Sequence, residues 1–163
     1  MNEQQLKKRI RNWVITFIIG LALSGITAFP IETELAFLAH HSGIFPAFLA
    51  KWIQTVYMAV KITNQNYPYL SYGTDWLAFG HLVIATVFIG PLKDPVKNIW
   101  VIQFGMIACI MVFPLAFIAG PIRGIPIYWR FIDCCFGIFG IMPLWFCYKR
   151  IKQLEVIQSN KTY

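Results

Sequence analysis

Four long apolar runs, set between clusters of charge, constrain this chain more than any other feature. They cover about residues 13–29, 72–92, 99–119 and 127–148, each near the roughly 20 residues that a helix needs to cross the hydrocarbon core of a bilayer. In lipid every backbone N–H and C=O must find a partner within the chain, so runs of this length specify helices. Composition agrees. Hydrophobic residues make up 58% of the 163 and charged residues 13%, about half the ~25% charge of a soluble domain. Apolar surface on this scale has no single core to hide in at this length. The expectation is an all-α integral membrane protein, a four-transmembrane-helix bundle forming a single membrane domain over residues 1–163.

The net charge of +7 invites a nucleic-acid reading, which the positions of the charges argue against. Ten of the fourteen basic residues form three groups: Lys7, Lys8, Arg9 and Arg11; Lys93 and Lys97; and Lys149, Arg150, Lys152 and Lys161. Each group lies just outside an apolar run, as cytoplasmic anchoring charges do. With four spans these ten share one side with Glu3, Asp94 and Glu155, for +7. Lys51, Lys61, Arg123 and Arg130 share the other with Glu32, Glu34, Asp75 and Asp133, for zero. The positive-inside rule then places both termini in the cytoplasm. A bacterial inner membrane is the simplest setting, because no organellar leader is recognisable. The basic stretch KKRIRN before the first run also has the form of a signal peptide's charged region. The run is read here as a retained span, ended by Pro30.

The stretch 45–62, FPAFLAKWIQTVYMAVKI, is long enough for a fifth span. Lys51, Gln54, Thr55 and Lys61 interrupt it, and a fifth span would put the two basic termini on opposite sides. It is read instead as an amphipathic helix at the outer interface, part of an outer-side helical segment over about 31–64. A connection this long with structure of its own commonly covers a site. PLKDPVKN and GPIRGIP are the short turns between the later spans. The tail KRIKQLEVIQSNKTY reads as a frayed helical extension.

Helices in lipid associate through small residues and a few polar contacts. The spacing suggests interior stripes at Thr16, Gly20, Ser24 and Thr27; at Thr74, Ala78, His81 and Ala85; at Gly105, Cys109, Val112 and Ala116; and at Arg130, Asp133, Gly137, Gly140 and Leu144. Pro114 should kink the third span by freeing the Ile110 carbonyl. His81 lies near mid-span, while Arg130 and Asp133 fall in the first turns of the fourth. Ionisable groups at such depth are costly and tend to face the protein interior or water. The plain alternatives are an Arg130–Asp133 ion pair at i, i+3, an interhelical contact for His81, and a first-turn acid for Asp75.

Other chemistry finds little purchase. No spacing resembles HExxH, and adjacent His40 and His41 diverge on a helix, so no metal site is expected. Cys109, Cys134, Cys135 and Cys147 lie inside apolar runs without a CxxC pair and read as small hydrophobes. Haem would need axial ligands facing each other, with His81 opposite His40 or His41. The sequence specifies no cofactor. The strings YGTD at the head of the second span, GPL at its close and PLW near the end of the fourth give a layout that resembles the EXPERA, sterol-isomerase-like, four-helix proteins. The acidic residue of that family's first span and its longer polar loop are absent here.

The leading functional expectation is an outward-side polar pocket, walled by Ser24, Thr27, Asp75, His81, Arg130 and Asp133, that binds a lipid-like or amphiphilic small molecule. Were the pocket catalytic, His81 or Asp133 would be the acid–base group and Arg130 the anion binder. The rival expectation is a non-catalytic scaffold or accessory subunit, in which the same polar groups lock helices to each other, to a second copy or to a partner membrane subunit. A small membrane enzyme or haem-binding protein using His81 is the third. Membrane lipid is the partner common to all of them.

Overall fold

The computed structural model describes residues 2–160. Lys161, grouped above with the basic C-terminal cluster, lies outside the described residues, as does Met1. Among the described residues all regular structure is helical. In chain order the elements are α1 (Glu3–Ala28), α2 (Ile31–His40), a 3-10 turn (Ser42–Ile44), α3 (Ala47–Asn66), α4 (Pro68–Val87), α5 (Ile89–Lys93), α6 (Ile99–Pro114), a π-helical turn (Leu115–Ala119), α7 (Gly120–Ile122) and α8 (Ile127–Ser159).

Four helical stretches are long and apolar enough to cross a membrane: Glu3–Ala28, Pro68–Lys93, Ile99–Ile122 and Ile127–Ser159. They contain the four runs read from the sequence, and they give the chain the layout of a multi-pass membrane protein. Proline sets the helix boundaries. Pro30, Pro46 and Pro126 stand immediately before α2, α3 and α8, and Pro68 opens α4. A residue without an N–H loses nothing at a helix start, where that donor would lack an intrahelical partner. Glu32 and Glu34 occupy the first turn of α2 and His40 its last, each on the favourable end of the helix dipole.

The chain divides into two compact units. One comprises α1 up to Ile19 together with everything from Thr86 onward, and the other is Gly20–Ala85. In the first unit α6 and α8 pack antiparallel at close range through glycine. A Cβ on Gly137 would stand 2.5 Å from the Cys109 carbonyl oxygen, and one on Gly105 would stand 2.8 Å from Phe88 and 2.9 Å from Leu144. Gly140 faces the Cys109 sulfur in the same way, at 2.9 Å. Phe88 is wholly buried and meets Phe17 at 4.7 Å between ring centroids. The stripes expected on the third and fourth spans are therefore largely the buried ones: Gly105, Cys109, Ala116, Gly137 and Leu144.

The stripe expected on the first span is misplaced. Thr16, Gly20 and Thr27 are exposed, and Gly20 has open space around it. The buried positions are Leu6, Ile10, Val14 and Gly25. Polar character misled the reading: each hydroxyl bonds its own helix, Thr16 to the Asn12 carbonyl at 3.0 Å and Thr27 to that of Ser24 at 3.3 Å. A hydroxyl satisfied this way has no need of a neighbouring helix.

Over its described residues the C-terminal tail is not frayed either. Helix α8 runs to Ser159, with Cys147, Ile151 and Leu154 at most 1% exposed. Spaced four and three apart, they continue one helix face past the charged residues.

In the second unit the C-terminal part of α1 meets α4 at Gly25, where an added Cβ would lie 2.8 Å from the Ala78 carbonyl oxygen and 3.1 Å from His81 Cβ. Helices α2 and α3 pack together beside the 3-10 turn, and Gln54 donates to the Ser42 hydroxyl at 3.0 Å. A polar relay ties α2 and α3 to α4: the Asn64 amide donates to Glu32, and the Ser71 hydroxyl donates to the Asn64 carbonyl oxygen.

Candidate functional site

The turn between α7 and α8 sets up the most site-like geometry in the molecule. Pro114 has no N–H to offer the Ile110 carbonyl, and the helix beyond it widens into the π turn Leu115–Ala119. Single π turns inside helices occur often at functional sites. The chain then reverses through Gly124, which takes φ +69, a conformation that glycine adopts at no steric cost. The Ile125 N–H closes the turn on the Gly120 carbonyl at 2.9 Å.

Arg130 is committed to this turn. Its Nε donates to the Ile125 carbonyl at 2.7 Å, and its side chain lies against Gly120, where a Cβ would meet Arg130 Cδ at 2.9 Å. It does not pair with Asp133. The ion pairs among the described residues are Lys7–Glu3, Lys97–Asp94 and Lys152–Glu155. The Asp133 carboxylate instead lines an open cleft of about 250 Å³ between the π turn and α8, walled by Val112, Leu115, Ala116 and Ala119, with Arg123 at the rim. A half-buried carboxylate on an apolar wall, with no cation or hydrogen-bond donor assigned to it, is costly unless something else meets it.

The other sequence-derived candidates lie in the second unit. Asp75 lines an aromatic cleft of about 320 Å³ with Phe29, Tyr72, Trp76 and Phe79. Tyr72 and Phe79 both meet Trp76 edge to face, with centroids 6.0 and 5.9 Å away. His81 bonds along its own helix, Nδ1 to the Leu77 carbonyl at 2.8 Å, and packs at Gly25. A carbonyl oxygen can only accept, so Nδ1 is the donor in that bond. Ser24 takes part through its backbone carbonyl, which accepts from Thr27. Ser24, Thr27, Asp75 and His81 thus belong to one unit, and Arg130 and Asp133 to the other.

His41 bonds the Phe37 carbonyl through Nδ1 at 2.9 Å, and its ring meets that of His40 edge on at 5.0 Å. Among the described residues no three His, Cys, Asp or Glu side chains converge in a way that could hold a metal ion.

Two features escaped the sequence reading. The Glu32–Asn64–Ser71 relay joins residues up to 39 positions apart, and nothing in their spacing announces it. Arg123 was counted only as an outer charge; its place at the rim of the Asp133 cleft follows from the reversal at Gly124. No protein-family model, curated protein or solved structure matches this chain.

Proposed function

We propose that the protein binds a small amphiphilic or lipid-like molecule from the surrounding bilayer, with Asp133 receiving the polar end. The supporting observation is the cleft itself, an apolar wall beside a π turn that carries one carboxylate without a partner. Val112, Leu115, Ala116 and Ala119 would take the tail, while Asp133 and Arg123 would take the head. Such a division between apolar walls and a few polar groups is usual for small-molecule sites. A hydroxyl or amine on the ligand would donate to the carboxylate, a charge-assisted contact that is strong away from water. Arg130 serves in this reading as the side chain that shapes the turn. The aromatic cleft at Asp75 is the second place where the same chemistry is available.

We infer from the charge asymmetry that both termini lie in the cytoplasm and the Asp133 cleft toward the opposite face; a bacterial inner membrane is the simplest setting for that orientation. The segment from Ile31 to Asn66 would lie along that outer interface.

The test is ligand retention. Wild type and Asp133→Ala, purified in mild detergent, are compared by native mass spectrometry and absorption spectroscopy. The expected result is a co-purifying amphiphile on the wild type and about tenfold lower occupancy on the variant, the ~1.4 kcal/mol scale of one charge-assisted contact. A folded Asp133→Ala protein that keeps its ligand unchanged sinks the proposal. Loss of a co-purifying protein chain instead of a small molecule would favour the scaffold reading.

A further inference from the structure

Within the first unit, the first turns of α1 and the last turns of α8 enclose an open groove of about 880 Å³. Its lining has two characters. Leu6, Phe146, Val156 and Ile157 are apolar, while Arg9, Lys149, Arg150 and Lys152 supply four cations and no acid lines it. The nearby carboxylates are already engaged, Glu3 with Lys7 at 2.8 Å and Glu155 with Lys152 at 2.8 Å. Among the described residues no carboxylate pairs with Arg9, Lys149 or Arg150.

Arg150 carries the argument furthest. Its Nη1 donates to the Phe146 carbonyl at 3.2 Å and its guanidinium lies 5.9 Å from the Phe146 ring centroid. Its Nε is buried and has no acceptor. Arg150 also lines the groove, and the planar fork of a guanidinium suits the paired oxygens of a phosphate.

The level of the groove says where that phosphate comes from. At about 1.5 Å per residue, Lys149 stands about 33 Å along α8 from Ile127, which is close to the ~30 Å thickness of the hydrocarbon core. Aromatic side chains gather at this level, as they do at membrane interfaces. Trp13 stacks on Phe146 at 5.4 Å, Trp145 on Tyr148 at 6.3 Å, and Lys149 lies over the Trp145 ring at 4.9 Å. Basic pockets between helices at such a level suit the headgroups of anionic lipids.

We propose that this groove is a binding site for the phosphate of an anionic phospholipid, gripped by Arg150, Arg9 and Lys149, with the acyl chains leaving over Phe146. The site is separate from the Asp133 cleft, so either can fail without the other.

The experiment uses the full chain, delipidated in mild detergent and titrated with phosphatidylglycerol or phosphatidylcholine under native mass spectrometry. Phosphatidylglycerol should bind at least tenfold tighter than phosphatidylcholine. Arg150→Gln, and separately the exposed pair Arg9→Gln with Lys149→Gln, should each lower its affinity fivefold or more, while Arg150→Lys restores only part. Should Arg150→Gln fail to fold, the exposed double variant decides. Millimolar inorganic phosphate should leave the bound lipid in place. Equal binding of the two lipids, unchanged affinity in the folded variants, or displacement by inorganic phosphate would each overturn the proposal, the last by making the site one for a soluble phosphate.

Discussion

Gly137 and Asp133 sit one turn apart on α8 and show how differently single residues act inside an apolar environment. At Gly137 the Cys109 carbonyl lies 2.5 Å from where a Cβ would be. Backbone at that distance yields only if the helices separate, so Gly137→Ala should destabilise by about 1–3 kcal/mol through overpacking. Gly80 is also helical but has nothing within 4 Å. There the same change should be neutral or stabilise by the ~0.5–1 kcal/mol of helix propensity. Thermal unfolding of both variants in micelles checks the contrast; equal shifts would contradict the close α6–α8 packing. Asp133 obeys a different rule, since its cost is electrostatic and no described side chain pairs with it. Arg130, three residues away, was the obvious candidate by spacing. The Ile125 carbonyl, set 2.7 Å from its Nε by the turn, holds it instead.

Among the elements, the α2–α3 segment depends most on a few polar contacts. Helix α2 has no buried residue and α3 has one, Ile53, so burial alone holds them weakly. The relay Glu32–Asn64–Ser71 links α2, α3 and the first turn of α4 through one amide. Asn64→Ala removes both links and should cost about 1–2 kcal/mol, the loss expected when hydrogen bonds to a charged and a neutral partner go together. Hydrogen exchange is the measurement that checks it, with faster exchange over Ile31–Asn66 and little change in α6 or α8. Uniform exchange across the chain would show that the relay does not anchor the segment. The tail of α8 shows the converse. Its sequence is polar and reads as frayed, yet Ile151 and Leu154 are buried, and a seven-residue apolar spacing was enough to keep it helical.

At the scale of the whole molecule, the testable property is topology. Four crossings put the termini on one side, whereas a fifth through Ala47–Asn66 would separate them. Fusions of green fluorescent protein and of alkaline phosphatase to the C-terminus, and to a site within Ser42–Ile44, should report opposite sides. The C-terminal fluorescent fusion and the loop phosphatase fusion are the two expected to be active. Activity of the C-terminal phosphatase fusion would overturn the four-span assignment. The four apolar helices were legible because length, hydropathy and flanking charge are local properties, and a helix in lipid needs nothing beyond its own backbone bonds. The boundaries at Pro30 and Pro126 were legible for the same reason, whereas α4 begins at Pro68, four residues before the start expected at Tyr72.

The amino-acid sequence by itself determined that this chain is helical and where its four long apolar runs lie, but not how far α1 and α8 extend beyond them. It could not determine which face of each helix is buried. In water an apolar stripe marks the inward face; in lipid both faces are apolar, and the choice falls to shape. On α6 and α8 glycine marked the face correctly, because only glycine admits a backbone carbonyl at such distances. On α1 the hydroxyls of Thr16 and Thr27 pointed to the wrong side, since each is satisfied within its own turn. Tertiary structure decided the rest. It set Arg130 on the turn, left the Asp133 carboxylate facing an apolar cleft, and brought Arg9 and Arg150, 141 positions apart in the chain, to line one groove.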